Sequence, residues 1–229
     1  TKSAFAKITY QDAIVELDLN GHSLTTTAQL NNGIIRTSAE NLALYVYSTA
    51  QGAQISDSQG GVLFVVGNGK LYVGQASDSA VTTERLKVTG NIFVKMNGAA
   101  SNTADVAKVD YINEKARIAG VFQLQNAGGS VKLSDCTFAL QMPLFYEPSA
   151  VKTLDATVNN SKIYTTSGQL ATTSTSVSEK NGSVAMNNTE IYSKVSLSYS
   201  DMLNTVTLDG NAFVSARINE VTVGTDKYC

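Results

Sequence analysis

A short phrase of two apolar residues that enclose a small or amide-rich turn recurs along the chain, and it limits the possible folds more than any other feature. The second apolar residue stands five positions after the first, and the phrase occurs at 19–24, 66–71, 88–93, 133–138, 158–163, 186–191 and 208–213. Four of the six intervals between successive starts are 22 to 28 residues long. A period in this range is typical of a solenoid, in which each repeat forms one turn of a coil.

The other two intervals are about twice as long, so each predicts one turn whose phrase has diverged. In the first interval the missing turn is expected at 35–42. In the second, Val106, Val109 and Ile112 stand at helical spacing. We therefore predict a short helical insertion near 103–117, or an irregular turn in its place.

Residues one period apart lie directly above one another in a parallel β-helix, so residue type should persist down each column. The second apolar residues of the phrase fit this rule, with gaps filled from the diverged turn: Leu24, Leu42, Leu71, Phe93, Phe138, Ile163, Ile191 and Phe213. In the turns, Asn159, Asn187 and Asp209 should form a polar column. We predict an all-β fold, a single-stranded right-handed parallel β-helix of about 8–10 rungs that spans 1–229 as one domain. A Ser-, Thr- and Asn-rich β-sandwich is the alternative.

The segment 14–24, IVELDLNGHSL, resembles the LDLNGHxL phrase of bacterial cell-surface proteins with pectate-lyase-like right-handed parallel β-helix repeats. Looser versions at 156–163, 184–191 and 206–213 extend the resemblance over most of the chain. The resemblance implies an extracellular or cell-surface protein. Because the sequence starts without Met or a signal peptide, we expect an excerpt or a processed part of a longer surface protein. The fold does not decide the activity, since such coils serve polysaccharide lyases, hydrolases, phage tailspikes and adhesins.

Charge and cysteine usage argue against several classes of partner. The 17 Lys and Arg residues nearly balance the 19 Asp and Glu residues and form no basic run, so nucleic acid is not an expected partner. No apolar stretch is long enough for membrane insertion. His22 is the only histidine, and Cys136 and Cys229 lack metal-ligand spacing, so neither a metal nor another cofactor is predicted. Cys136 is expected as a buried free thiol rather than in a bridge to Cys229.

Polysaccharide cleavage on such a scaffold needs two or three carboxylates on one exposed face, or a Ca²⁺ site beside a base. The expected register places Asp135 and Asp209 three rungs apart. Asp18 and Asp57 stand alone in turns, where an aspartate usually bonds its own backbone. No catalytic residue is therefore predicted; whether the chain is an enzyme stays open, with a non-catalytic role favoured.

Outward-facing tyrosines are the candidate binding residues. Tyr72, Tyr164 and Tyr192 each follow the second apolar residue of a phrase, and Tyr45 and Tyr47 alternate with apolar residues in their own strand. An aromatic ring with a hydroxyl suits contact with a glycan or a protein. The same rings, paired across strands, can instead serve only to stabilise the sheet. Both interpretations stay open.

The leading hypothesis is a non-catalytic extracellular surface module, a rigid stalk or adhesin segment that binds a glycan or a cell-surface protein. One alternative is a polysaccharide-degrading enzyme or phage tailspike. The other is a self-assembling extracellular fibre subunit, because the terminal rungs of a parallel solenoid carry unpaired strand edges and neither end shows a clear cap. Copies of the chain would then stack through the uncapped ends.

Overall fold

The structure is a computed structural model, and it describes residues 6–8, 12–38, 41–98, 101–113, 120–126, 129–147, 154–173, 182–193, 203–216, 221–223 and 226–228. Within these ranges every regular element is a strand. In each of the first seven turns three strands follow one another, and each of the three joins a different parallel sheet. The protein is a parallel β-solenoid, which confirms the predicted fold class.

The turns are numbered along the chain and contain these strands: in turn 1, β1 (Ala6–Ile8), β2 (Ile14–Asp18) and β3 (Ser23–Thr26); in turn 2, β4 (Ile35–Thr37), β5 (Ala43–Tyr47) and β6 (Gln54–Asp57); in turn 3, β7 (Val62–Val66), β8 (Lys70–Val73) and β9 (Leu86–Gly90); in turn 4, β10 (Ile92–Gly98), β11 (Thr103–Ala107) and β12 (Val109–Asn113). The later turns contain, in turn 5, β13 (Phe122–Asn126), β14 (Gly129–Ser134) and β15 (Thr137–Leu140); in turn 6, β16 (Phe145–Glu147), β17 (Leu154–Asn159) and β18 (Lys162–Thr165); in turn 7, β19 (Ala171–Thr173), β20 (Gly182–Asn187) and β21 (Glu190–Ser193); in turn 8, β22 (Leu203–Asp209) and β23 (Phe213–Ala216).

The first, second and third strands of the turns form sheets A, B and C, with β22 in sheet B and β23 in sheet C. In the described part of the chain, sheets B and C each contain eight strands. A short antiparallel hairpin of β24 (Val221–Val223) and β25 (Asp226–Tyr228) follows, and β24 lies against β15.

The predicted column of apolar residues is correct from Phe138 to Ile191. Phe138, Ile163 and Ile191 lie one above another in sheet C. Leu24 belongs to the same column, which the register continues as Leu24, Ile55, Val88, Tyr111, Phe138, Ile163, Ile191 and Val214.

The other members of that predicted column are wrong. Leu71 lies in sheet B, Phe93 lies in sheet A, and Leu42 precedes β5. Phe213 pairs with Glu190, one position before the column. The reason is geometric: each corner between two sheets needs an apolar residue, a compact turn and a second apolar residue, so the phrase marks a corner without saying which one.

The predicted helical insertion near 103–117 is also wrong. β11 and β12 are ordinary strands of turn 4, and 114–117 lie outside the described residues. The chain bends between these strands at Lys108, so that Val106 and Val109 both point into the core from either side of the corner. Ile112 faces outward and is covered there. The apolar residues around a corner can therefore have the same spacing in the sequence as one face of a short helix.

Aromatic side chains fill the centre of the coil. Rings touch both within a turn and between successive turns. Within turns 4 and 5, Phe93 contacts Tyr111 and Phe122 contacts Phe138. Between turns, Phe122 contacts Phe93 of the turn before and Phe145 of the turn after. The buried Tyr111 hydroxyl donates to the backbone oxygen of Asn91 at 2.8 Å, which satisfies its polar group.

The inward residues of the terminal turns are less covered than those of the centre. Val15, Leu17 and Leu24 in turn 1 are only partly buried, and Leu208 in turn 8 is 44% exposed. Stacking of copies through these ends stays a prediction.

Candidate functional site

The corner between sheets B and C is a minimal bend in turns 4 to 7. Two residues separate the strands in turns 5 to 7, and one in turn 4. The backbone of Lys108, Asp135, Asn160 and Asn188 there has φ between 49° and 54°, the left-handed region that asparagine and aspartate tolerate best. The Asn188 side-chain Nδ2 donates to Oδ1 of Asn160 at 3.3 Å, which links neighbouring bends.

The predicted polar column beside these bends is confirmed. Asn159 pairs with Asn187, and Asn187 pairs with Asp209. These positions end the sheet B strands, so the tight bends hold the register on which the repeat depends.

The same corner is longer in turns 1 to 3, and in turn 3 it becomes the loop 74–85, called here the 74–85 loop. The loop leaves sheet B at Gly74, where φ is 79° and a Cβ atom would overlap the backbone oxygen of Ala107. Only glycine fits this exit. The sequence signal for the loop is the polar stretch between Val73 and Leu86, in which Val81 is the only large apolar residue.

Both ends of the 74–85 loop bond to the strand that carries Tyr47. The Gly74 amide donates to the oxygen of Val46 at 2.8 Å, and the Glu84 amide donates to the oxygen of Ser48 at 2.8 Å. Tyr47 stands between these two contacts. It faces outward as predicted, but it is 7% exposed and is therefore not part of an exposed aromatic face.

The hydroxyl of Tyr47 lies just beneath the surface, close to two carboxylates. Burial raises the pKa of Tyr47, and the neighbouring Glu16 and Asp18 raise it further. Tyr47 thus stays protonated at neutral pH.

Beside the loop, four outward residues of sheet B form a column that we call the tyrosine–carboxylate column: Glu16, Tyr45, Tyr72 and Asp105. The rings of Tyr45 and Tyr72 are stacked, with centroids 4.3 Å apart and planes 6° from parallel. Each ring uses one face for the stack. Both rings are partly exposed.

The 74–85 loop is fixed to both ends of the tyrosine–carboxylate column. The Ser77 amide donates to Oε1 of Glu16 at 2.8 Å, and Nε2 of Gln75 donates to Oδ1 of Asp105 at 3.0 Å. Burial raises the pKa of Tyr72, and Tyr45 and Asp105 add to the shift. Sequence reasoning found the two tyrosines but missed both carboxylates, because their place in the column depends on the register.

Tyr164 and Tyr192 form a second stack in sheet C, with centroids 5.0 Å apart and planes 12° from parallel. The spacing of the repeat predicts that Tyr164 and Tyr192 are neighbours and that Lys162 and Glu190 form an ion pair. Both contacts are confirmed, with Nζ of Lys162 at 3.5 Å from Oε2 of Glu190. The Tyr192 hydroxyl donates to Oε2 of Glu190 at 2.8 Å, and this hydrogen bond, with burial and charge, raises the pKa of Tyr192 to about 12.

The five candidate tyrosines therefore do not line one face. Tyr72 lies in sheet B rather than in the column of Tyr164 and Tyr192, because it follows a corner between sheets A and B. The structure brings the tyrosines together as two stacked pairs on different sheets, with Tyr47 covered beside the first pair.

Arg85, directly after Glu84, joins two carboxylates from successive turns. Its guanidinium contacts Asp110 at 3.0 Å and Asp135 at 2.7 Å. Burial lowers the pKa of Arg85, but the two carboxylates outweigh burial and raise it. The two acids thus lie near each other, and one guanidinium engages both.

The turn aspartates bond to the backbone as predicted. Oδ1 of Asp18 accepts the amides of Asn20 at 2.8 Å and Thr49 at 3.0 Å, and Oδ2 accepts the Thr49 hydroxyl at 2.7 Å. Burial alone would raise the pKa of Asp18, but these bonds lower it. Asp57 accepts the amides of Gln59 and Gly61. Both side chains therefore close turns.

Among the residues that the structure describes, no three His, Cys, Asp or Glu side chains are grouped so that they would hold a metal ion. Cys136 is buried and free, as predicted, and burial raises its pKa to about 12. Cys229 lies outside the described residues.

The described part of the chain contains no helix with the length and apolar character of a membrane span. Comparison with known protein families, with curated proteins and with solved structures finds no match to this chain. The resemblance to bacterial surface proteins with pectate-lyase-like repeats accordingly stays a prediction.

Proposed function

We propose that this chain is a non-catalytic extracellular surface module, a rigid stalk or adhesin segment that binds a glycan or a cell-surface protein at the tyrosine–carboxylate column. The observation that carries the proposal is the Tyr45–Tyr72 stack, partly exposed and framed by a loop that is bonded at both ends of the column. A solenoid whose turns are hydrogen-bonded to one another serves naturally as a spacer.

The loop supports binding because it orders the surface before a ligand arrives. Side chains that are already fixed lose less conformational entropy on binding, so more of the contact energy appears as affinity. Tyrosine supplies apolar edges together with a hydroxyl, and the carboxylates of Glu16 and Asp105 accept hydrogen bonds from hydroxyl or amide donors. This combination suits a sugar or a polar protein surface.

The two stacked pairs supply a matched test. The double variant Tyr45→Ala/Tyr72→Ala and its control Tyr164→Ala/Tyr192→Ala each remove one cross-strand stack. Each variant should lose about 0.5–1.5 kcal/mol of stability from the missing aromatic pair, in addition to the stability lost with the buried apolar area. Wild type and both variants are then applied to one array that carries glycans and purified extracellular proteins.

A ligand that wild type and the control bind, but that the Tyr45/Tyr72 variant binds at least tenfold more weakly, is the expected result. Equal loss in both variants, or no ligand retained on the array, would contradict the proposal. Polysaccharides incubated with wild type report on the enzyme alternative: release of fragments that disappears in Asp110→Asn or Asp135→Asn would replace the proposed function with a catalytic one.

A further inference from the structure

Lys108 has an unusual backbone for its residue type. In the next three turns the same position of the bend is occupied by Asp135, Asn160 and Asn188. Among the described non-glycine residues with positive φ, all but Lys108 are aspartate or asparagine. Those short polar side chains offset the strain of left-handed backbone with local hydrogen bonds, whereas a lysine has no such means. Strained backbone persists where the surroundings enforce it, and it clusters at functional positions.

The side chain of Lys108 reaches the 74–85 loop. Its Nζ donates to the backbone oxygen of Thr83 at 3.2 Å and lies 3.4 Å from the Thr83 hydroxyl. That hydroxyl donates to the backbone oxygen of Gly74 at 2.9 Å, and Thr83 is buried. Lys108 therefore holds the point at which the returning end of the loop meets its beginning.

We propose that Lys108 is a positioning residue: its strained backbone places an ammonium group that closes the 74–85 loop over Tyr47 and fixes it beside the tyrosine–carboxylate column. An asparagine at this position would relieve the backbone and is too short to reach Thr83. The role of Lys108 in shaping the loop stands on the contacts alone, while its effect on ligand affinity rests on the proposed function.

The loop contacts explain why Tyr47 reports on this closure. Tyr47 is flanked by the Gly74 and Glu84 amide contacts, and the loop continues to Glu16 through Ser77. If the closure at Thr83 is lost, the cover over Tyr47 opens. Acetylation of tyrosine hydroxyls by N-acetylimidazole, followed residue by residue with mass spectrometry, measures that cover without any ligand.

Three substitutions at position 108 separate the ammonium group from the backbone strain. Lys108→Met keeps the strained bend and removes the charge, so Tyr47 acetylation and amide exchange of 75–83 should each rise at least fivefold, and the Tm should fall. Lys108→Asn should open the loop to a similar extent, yet melt above Lys108→Met because its backbone is relaxed. Lys108→Arg keeps a cation and should leave Tyr47 acetylation within twofold of wild type.

The control places a lysine where no loop exists to receive it. Asn160→Lys should lower the Tm and leave Tyr47 acetylation unchanged, with Tyr164 as the internal standard in the Lys108 variants. Wild-type acetylation and exchange in both Lys108→Met and Lys108→Asn would overturn the proposal, and equal Tm values for those two variants would overturn its strain component. If the protein bound no ligand on the array, the proposed function would be wrong, but the role of Lys108 in closing the loop would be unaffected.

Discussion

The corner between sheets B and C is built in two ways, and the difference separates the repetitive part of the molecule from its distinctive part. In turns 4 to 7 one or two residues make the bend, and the left-handed residue of each turn stacks on that of the next. In turns 1 to 3 the corner expands to 19–22, 48–53 and 74–85, and side chains of the last two segments bond to other turns. Minimal bends preserve register, whereas extended ones build a surface. The candidate binding surface accordingly lies where the repeat is interrupted.

The largest expected effect concerns the exit of the 74–85 loop. Gly74→Ala should cost roughly 3 kcal/mol or more, because a Cβ would overlap the oxygen of Ala107 in addition to the strain of positive φ. Urea denaturation measures the loss. Gly52→Ala is the matched control, since Gly52 has φ of 90° but open space around its Cα, so that only about 1–2 kcal/mol of strain is expected. Equal losses would show that the exit is not tightly packed.

A smaller effect is expected in the minimal bends. Asn160→Ala should cost about 1–2 kcal/mol, since alanine tolerates left-handed backbone poorly and the bond from Asn188 is lost. Thermal unfolding followed by circular dichroism measures the change. Asn160→Gly should lose less stability, because glycine adopts left-handed backbone without strain. If alanine and glycine were equally tolerated, conformation would not be what selects asparagine at these bends.

A still smaller effect is expected where the loop meets the bends through charge. Asp135→Asn should cost no more than about 0.5 kcal/mol, because Asp135 and Arg85 are both substantially exposed and solvent screens such pairs. The difference from wild type should vanish in 1 M salt. A loss of stability above about 1 kcal/mol would show that the contact between the Arg85 guanidinium and Asp135 contributes strongly to holding the loop in place.

A thiol reagent is expected to leave Cys136 unmodified as long as the protein is folded. Because folding raises the pKa of this thiol to about 12, the folded protein favours the protonated form. The resulting stabilisation is complete below the unfolded pKa of about 9 and is lost as pH rises toward 12. In a Cys229→Ser background, a disulfide reagent at pH 8 should label Cys136 only after unfolding. Labelling of the native protein would mean that this bend opens readily.

The sequence predicts the solenoid because the minimal bends recur at a regular spacing along the chain. Asn159, Asn187 and Asp209 were correctly aligned from their spacing alone, and Tyr164 was correctly placed beside Tyr192. Each bend has nearly constant length, so counting residues is equivalent to counting turns.

The first half of the register was not predictable in the same way. Apolar residues around a compact turn occur at all three corners, so the phrase ending at Leu71 and the phrase ending at Phe93 were assigned to the wrong corner. The carboxylates Glu16 and Asp105 gain their meaning only from that register. The part played by Lys108 depends on a contact with Thr83 across 25 positions of sequence, which no local pattern records.

The 74–85 loop changes how the coil should come apart. In most repeat proteins each unit touches only its neighbours, so unfolding can begin at an end and advance unit by unit. Here turn 3 is bonded to turn 1 through Ser77 and Glu16, and to turn 5 through Arg85 and Asp135. The first three turns should therefore melt as one cooperative block, because the exposed Arg85–Asp135 pair adds little, while the later turns are free to fray. A chain pulled from its two termini would lengthen first at its C-terminal side and keep the tyrosine surface intact under load.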